Sequence, residues 1–281
     1  MPSSVWFITG ASRGFGLEIT KAALAAGHRV VATARDPEAV RKAFPDASTD
    51  QLLAVALDVT DPRQADQAVR QALAAFQRID VLVNNAGYGL FGALEETSDA
   101  EIRALFDTNV FGLLTVTRAV LPTFRAQHSG HVVNLSSVAG IATGAGFGNY
   151  AASKFAVEGI TEALAAELAP FGAKATAIEP GSFRTDFLDA SSHRRAATGL
   201  DAYADTVHRA LTALGARSGN QPGDPARAAA AVLEVVASPD PPVRLALGPD
   251  SYTRILGKLE SASAELEAWR ELSLSTDFAV S

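Results

Sequence analysis

Short apolar runs rich in valine and isoleucine alternate along the chain with longer stretches whose apolar residues recur at helical spacing. The runs are Val5 to Ile8, Arg29 to Ala34, Leu52 to Leu57, Val81 to Val83, His131 to Leu135, Lys174 to Ile178 and Arg244 to Leu247. Most are apolar throughout, as strands covered on both faces are, although periodicity alone leaves short buried helices open for some of them. Helices are predicted over Gly16 to Ala26, Arg63 to Phe76, Asp99 to Gln127, Tyr150 to Ala169 and Pro225 to Ala237. The last is well punctuated, since Asp224 can cap the orphan amides, Pro225 takes the first helical position and Pro239 stops it. Seven strands alternating with helices predict an α/β fold built on a doubly wound parallel sheet. Beyond the last strand, Tyr252, Leu256, Leu259, Leu266, Trp269 and Leu272 recur near helical spacing and predict an added amphipathic helix. That helix is expected to pack on the domain or on a neighbouring subunit, with closure of one side of a substrate crevice as a further role.

No repeat, low-complexity tract or long charged linker divides the 281 residues, so a single domain over 1–281 is expected. Within it, 182–223 is the least core-like stretch and reads as a substrate-loop region, and 251–281 as a C-terminal helical extension. A net charge of -7 argues against a phosphate-backbone footprint, and no nucleic-acid partner is expected. The absence of cysteine removes disulfides, thiolate metal sites and thiol nucleophiles. With five histidines and no compact carboxylate–histidine spacing, no catalytic metal is expected either. No basic stretch precedes the first apolar run, and no run approaches the roughly 18 residues needed to cross a bilayer. A cytoplasmic protein without a membrane span is the resulting expectation.

Candidate chemistry begins directly after the first strand, where Thr9-Gly10-Ala11-Ser12-Arg13-Gly14-Phe15-Gly16 runs into a helix. Glycines there let the backbone turn tightly and approach a pyrophosphate at a helix N-terminus, whereas an isolated glycine cluster would read as a plain turn. The second strand ends Ala34-Arg35-Asp36. A carboxylate at such a tip accepts from the ribose hydroxyls of NAD, while an arginine pairs with the 2′-phosphate of NADP. Arg35 and Arg13 supply cations for that phosphate, or are solvated surface arginines. Asp36 either bonds ribose or pairs with Arg35.

Tyr150 and Lys154 stand four residues apart on one face of a predicted helix. An ammonium near a phenol lowers the phenol pKa from about 10 toward working pH. Ser137 closes Asn134-Leu135-Ser136-Ser137 at the C-terminal end of the fifth strand, where open parallel sheets place their ligand crevice. A hydroxyl beside the phenol can hold a carbonyl oxygen for protonation, although serines at strand ends also simply satisfy turn backbone.

Together these residues resemble the classical short-chain dehydrogenases/reductases from Thr9 to about Gly248: TGASRGFG (9–16), Asp58-Val59, NNAG (84–87), Asn109, NLSS (134–137), YAASK (150–154) and Pro180-Gly181, in that order. The resemblance implies a single Rossmann-type domain and a catalytic tetrad of Asn109, Ser137, Tyr150 and Lys154. It implies NADP(H) held by Gly10, Ser12, Arg13, Gly14, Phe15, Gly16 and Arg35 at one end. Asp58 and Val59 would border adenine, Asn85, Ala86 and Gly87 the adenosine ribose, and Pro180, Gly181 and Thr185 the nicotinamide, whose ribose Lys154 and Tyr150 also reach. Asn109 would hold a kinked helix and a water that links Lys154 to solvent. The expected activity is hydride transfer between NADPH and a ketone, aldehyde or secondary alcohol, with Tyr150 as general acid/base. Alternatives are a 3-oxoacyl thioester reductase and a non-catalytic NADP(H)-sensing binding protein. Arg13 standing where the extended branch has glycine argues against epimerases, and the long tail resembles steroid-dehydrogenase-like NADP reductases.

Substrate choice is expected from the 182–223 stretch. Phe183, Phe187, Leu188 and Tyr203 wall an apolar pocket or dock the loop on the core, and Tyr88, Leu90, Phe91, Ala142 and Phe147 line the same crevice. Ser137 would position the substrate oxygen. His193-Arg194-Arg195 reads as a solvated face rather than an anion site. A homodimer or homotetramer is expected, since family members pair through the helices bearing Asn109 and Tyr150.

Overall fold

The computed structural model describes residues 3–189 and 192–278; the Leu188 side chain, named above, lies outside the described residues. In chain order the strands are β1 Val5–Thr9, β2 Arg29–Ala34, β3 Leu52–Ala56, β4 Val81–Asn84, β5 Gly89–Phe91, β6 Gly130–Leu135, β7 Ala173–Pro180, β8 His193–Arg195 and β9 Arg244–Leu247. The helices are α1 Gly14–Ala25, α2 Pro37–Ala43, α3 Pro62–Phe76, α4 Asp99–Phe106, α5 Leu113–Gln127, α6 Gly148–Leu168, α7 Arg209–Gly215, α8 Pro225–Ala237, α9 Pro249–Ala268 and α10 Arg270–Leu274.

Seven strands form one parallel sheet in the order β3-β2-β1-β4-β6-β7-β9. The order reverses between β1 and β4, and the strands' carboxyl ends open there into a crevice, as in doubly wound sheets generally. Each face has its own core. Phe7, Leu82, Val120 and Phe124 pack under α3 and α5 on one side, and Ile8, Ile19, Val83 and Val232 under α1 and α8 on the other. The continuous apolar strands foreseen from the sequence are therefore covered on both faces.

Local chemistry sets the boundaries. Asp61 caps α3 through the Arg63 amide at 2.9 Å, with Pro62 at the first helical position, and Asp224 with Pro225 does the same for α8. The expected single helix from Asp99 to Gln127 is interrupted by a π-turn over Asp107–Gly112. The extra residue in that turn directs Asn109 inward, as π-bulges at functional sites do. This helical run is also, among the described residues, the one stretch long and apolar enough to cross a bilayer, contrary to the reading that no run approaches that length. Its buried face, including Val116, Val120 and Phe124, is part of the core.

Two further departures bear on the site. His193-Arg194-Arg195 is not a loop but a strand, β8, paired in parallel with β5, on which Arg194 and Arg195 are exposed as expected. The C-terminal helix does not pack on the domain: Ser251 is buried and bonds the Glu179 carbonyl at 2.7 Å, but past Ile255 every described residue is exposed.

Candidate active site

A crevice of about 1350 Å³ runs along the carboxyl ends of the strands, from the glycine loop to the α6 tyrosine. At its first end, Gly10 turns at φ 65, a left-handed conformation that glycine adopts without strain. Gly16 lies behind the turn and not on the crevice wall, which corrects its expected role as a contact residue. A Cβ there would stand 2.3 Å from the Gly10 carbonyl oxygen, so the glycine permits the loop's close packing instead. The loop is clamped from β4: Asn85 Nδ2 donates to the Thr9 and Gly10 carbonyls at 2.9 and 3.0 Å, and Thr9 Oγ1 accepts from the Asn85 and Ala86 amides. Asn84 points inside, bonding Thr117 and Asn134 at 2.9 Å.

Gly10, Ser12, Arg13, Gly14, Phe15, Arg35, Asp58, Val59, Asn85, Ala86, Gly87, Pro180, Gly181 and Thr185 all line this one crevice, as the sequence reading anticipates. Asp36 also lines the crevice at the β2 tip, and its carboxylate caps α2 through the Glu38 amide at 3.0 Å. Asp58 does not cap α3 but accepts from the Thr60 amide and hydroxyl at 3.0 and 2.7 Å. A dinucleotide fits these residues. The cradle is kept bare by glycines, two arginine side chains stand at its adenosine end, and the sheet edge leaves a continuous trough toward Tyr150.

The second end is built on β6, the turn after it, and α6. Ser137, two residues past β6, has extended backbone, its Oγ accepts from the Ala139 amide at 3.1 Å, and it lines the crevice with the Tyr150 phenol. One helical turn on, Lys154 is buried and donates from Nζ to the Leu135 carbonyl at 2.6 Å. Burial pushes the Tyr150 phenol up to about 12, the nearby Ser137 hydroxyl opposing, and pulls the Lys154 ammonium down to about 8, Glu158 opposing. The expected depression of the phenol by Lys154 is thus not found. The ammonium sits 5.8 Å from the Tyr150 ring centroid with its proton directed at a carbonyl, and desolvation dominates. Asn109 does not reach the crevice. Its Nδ2 donates to the Tyr88 carbonyl at 2.9 Å and to Ser153 Oγ at 3.1 Å, and its Oδ1 accepts from the Tyr88 amide at 3.0 Å. It ties the β4–β5 connection to α6, the helix that bears Tyr150 and Lys154.

Aromatic side chains surround the phenol. Phe91 lies 5.6 Å from Tyr150, 5.0 Å from Phe147 and 6.2 Å from Phe187, and Phe187 is 5.6 Å from Tyr150, all between ring centroids. His193 stacks on Phe91 at 4.3 Å, and the Arg194 guanidinium lies 4.2 Å over Tyr88, whose phenol is raised mainly by burial. Phe147, Phe187 and Tyr88 therefore wall the crevice as expected. Phe183 lines it at the opposite end, edge-on to Phe15 at 5.3 Å, because the chain after Pro180 first crosses the glycine loop. Leu90, Ala142 and Tyr203 do not line it. Leu90 is core, the Ala142 carbonyl accepts from Arg254, and the Tyr203 hydroxyl donates to Glu95 at 2.6 Å. Sequence reasoning named none of Arg217, Asp250 and Arg254, which line the wall, although Arg254 brings the tail to the crevice in the further role expected of it. It missed the latch as well. Glu96 accepts from the Ala93 and Leu200 amides at 2.8 Å and pairs with His208 at 2.5 Å, and the Leu200 bond, ahead of the others, holds its carboxyl below the usual range.

Residues 4–196 match the short chain dehydrogenase family. The chain belongs to that family. Among curated members, an oxidoreductase of Botryotinia fuckeliana is 41% identical over 98% of this chain and 99% of its own. A 3-ketodihydrosphingosine reductase of Bacteroides thetaiotaomicron is 36% identical over 89% of each. A short-chain dehydrogenase of Streptomyces avermitilis, 44% identical, superimposes with a TM-score of 0.89 over 98% of this chain and all of that one. Solved members carry either cofactor. One, from Burkholderia phymatum, holds NAD (26% identical, TM-score 0.78, 99% and 98% covered), and a serine dehydrogenase holds NADP+ (28%, 0.76, 88% and 95%). This short-chain dehydrogenase is accordingly an oxidoreductase whose solved neighbours bind NAD or NADP.

Proposed function

We propose that the protein is an NADPH-dependent carbonyl reductase, and in reverse a secondary alcohol dehydrogenase, acting on a ketone or aldehyde with an apolar or aromatic flank. The observation that carries this reading is the buried Tyr150 phenol, sharing an aromatic-walled crevice with Ser137, with Lys154 one turn away.

When bound, the reduced nicotinamide supplies hydride to the carbonyl carbon. The chain's own groups do the rest. Ser137 Oγ holds and polarises the carbonyl oxygen, and Tyr150, protonated at working pH with its pKa about 12, delivers its proton to that oxygen as the alcohol forms. Lys154, whose burial-lowered pKa of about 8 makes it the stronger acid of the two, returns a proton to the phenolate. Asn109 positions both by joining α6 to the Tyr88 backbone. Preference for NADPH follows from the β2 tip: Arg35 and Arg13 line the crevice there, while the Asp36 carboxylate is engaged by its own helix.

A 3-oxoacyl thioester or other 3-keto substrate with a polar end is the second reading, favoured by Arg194, Arg217 and Arg254 along the outer wall and by the 3-ketone named for one relative. Self-association is part of the proposal. Phe111 and Phe155, next to Asn109 and Lys154, are 57% and 48% exposed on the helical run and on α6.

The test is NADPH and NADH oxidation by the purified protein against ketones, aldehydes, steroids and 3-oxoacyl thioesters, beside Tyr150→Phe. Tyrosine-dependent turnover with NADPH is expected. Cofactor binding with no turnover on any carbonyl would instead favour a sensing role.

A further inference from the structure

The C-terminal helix is the one element whose composition its own fold does not explain. Past Ile255 it leaves the body, yet it carries an apolar stripe: Tyr252 is 64%, Leu266 71% and Trp269 65% exposed. Tyr252, Ile255, Leu259, Ala262, Leu266 and Trp269 follow one another at alternating steps of three and four. Two apolar positions in seven, with Leu256 and Leu272 exposed at their flanks, make a helix–helix seam. At about 1.5 Å per residue the seam is ~26 Å long.

We propose that this seam pairs with the same seam of a second copy of the chain, the two helices antiparallel about a two-fold axis between residues 260 and 261. That axis sets Tyr252 against the partner's Trp269, Ile255 against the partner's Leu266, and Leu259 against the partner's Ala262. Every layer then joins a first to a fourth heptad position. Charge fits the same register, for Lys258 and Glu265 flank one side of the seam and meet as opposite charges, Lys258 to the partner's Glu265, twice by symmetry. Parallel pairing would instead stack like positions, Tyr252 on the partner's Tyr252 and Trp269 on the partner's Trp269, and would show as self-cross-linking of the single-cysteine variants below. A lipid surface is disfavoured because residues 249–278 carry twice as many acidic as basic side chains, whereas interfacial helices are basic.

The chain has no cysteine, so introduced thiols report without background. Tyr252→Cys and Trp269→Cys, made separately on exposed positions of the full chain, are oxidised alone and mixed. A cross-linked dimer is expected from the mixture and from neither protein alone, since like positions lie ~26 Å apart and a disulfide needs Cα atoms within about 7 Å. Self-cross-linking of either variant, or none in the mixture, would overturn the proposal. In sedimentation, Lys258→Glu or Glu265→Lys should each weaken self-association about threefold to tenfold, and the two together should restore it. A double variant no better than the singles would overturn the register. Co-sedimentation of the wild type with phosphatidylserine vesicles, without cross-linking, would give the seam to lipid. The cross-link is blind to any second contact through Phe111 and Phe155.

Discussion

The glycine-loop end of the crevice and the 182–223 stretch that walls its other end are held in place by different kinds of contact. Around the loop, Asn85, Thr9 and Gly10 bond one another's backbone across adjacent parallel strands, so the sheet itself fixes the geometry. The later stretch is made of short elements outside the main sheet, with Val207 and Leu211 of its helical part packed against Phe91 and Tyr150. It hangs on carboxylates of a distant segment, with Glu95 on Tyr203, Glu96 on Leu200 and His208, and Glu101 on the Ala197 amide, and on the short β5–β8 pair. The difference separates two tasks. Cofactor position must be the same for every turnover and is built into the sheet, whereas substrate fit is set by a piece that can change without disturbing the sheet.

The strongest test of this division compares Tyr150 with Phe187, neighbours at 5.6 Å that belong to the two regions. Tyr150→Phe removes the proton donor and should lower kcat by about 10²–10⁴ on every substrate, leaving NADPH affinity nearly intact in a fluorescence titration. Phe187→Ala should change kcat/KM by about 10–200-fold and unevenly across substrates of different bulk. Equal losses on all substrates for both variants would erase the distinction. Next in size is Arg35→Ala. Losing a charge-assisted bond to the 2′-phosphate, about 1.5–3 kcal/mol, should weaken NADPH roughly tenfold to a hundredfold and NADH hardly at all. Equal weakening of both cofactors would mean that Arg35 does not read the phosphate.

Glu96→Gln probes the latch. Gln cannot accept from Leu200, Ala93 and His208 as a carboxylate does, and the loss should cost about 1–3 kcal/mol in thermal unfolding. Substrate KM should rise several-fold with NADPH affinity unchanged. A rise in the NADPH dissociation constant instead would show that the two regions are coupled.

The same contrast governs what the sequence reveals. The seven sheet strands and helices α1, α3, α6 and α8 are legible because fully apolar runs, an Asp-Pro cap and glycine turns are local signals with local causes, whereas the short α2 and α7 are not. Ser137, Tyr150 and Lys154 are legible through spacing on one strand end and one helix face. What escapes is made by contacts distant in sequence. The β5–β8 pair joins residues about a hundred apart, the π-turn at Asn109 exists to meet the Tyr88 backbone, and Arg254 reaches the crevice only because Ser251 and Asp250 anchor the tail to β7 and the Ser182 amide. The high Tyr150 pKa was equally out of reach, since spacing reports that Lys154 is near but not how far burial outweighs it.

The smallest expected effect lies beneath α6, where β7 carries Glu179 beside Glu158. Burial first, then the charge and hydrogen bond of Glu158, hold the Glu179 carboxyl well above the usual range, with Arg244 opposing. Arg244 itself bonds Glu158 at 3.1 Å and Glu162 at 2.5 Å, so the cluster is short of positive charge. A carboxyl whose folded pKa is raised holds a proton that the unfolded chain has released. Its stabilising contribution is therefore complete below the ordinary carboxylate range and is lost as pH rises through the folded value. Other groups tilt the opposite way. His131, lowered by burial to about 4, makes stability rise with pH up to its unfolded value of 6.5, and Lys154 does so from about 8 upward. Between pH 6.5 and 8 the Glu179 proton dominates, and unfolding free energy from denaturant titrations should fall with pH, by less than the about 1.4 kcal/mol per unit that one full proton carries. Glu179→Gln should flatten that interval and leave the acid and alkaline limbs as they are. An unchanged slope would place the Glu179 proton in solution, with both carboxylates charged and balanced by Arg244.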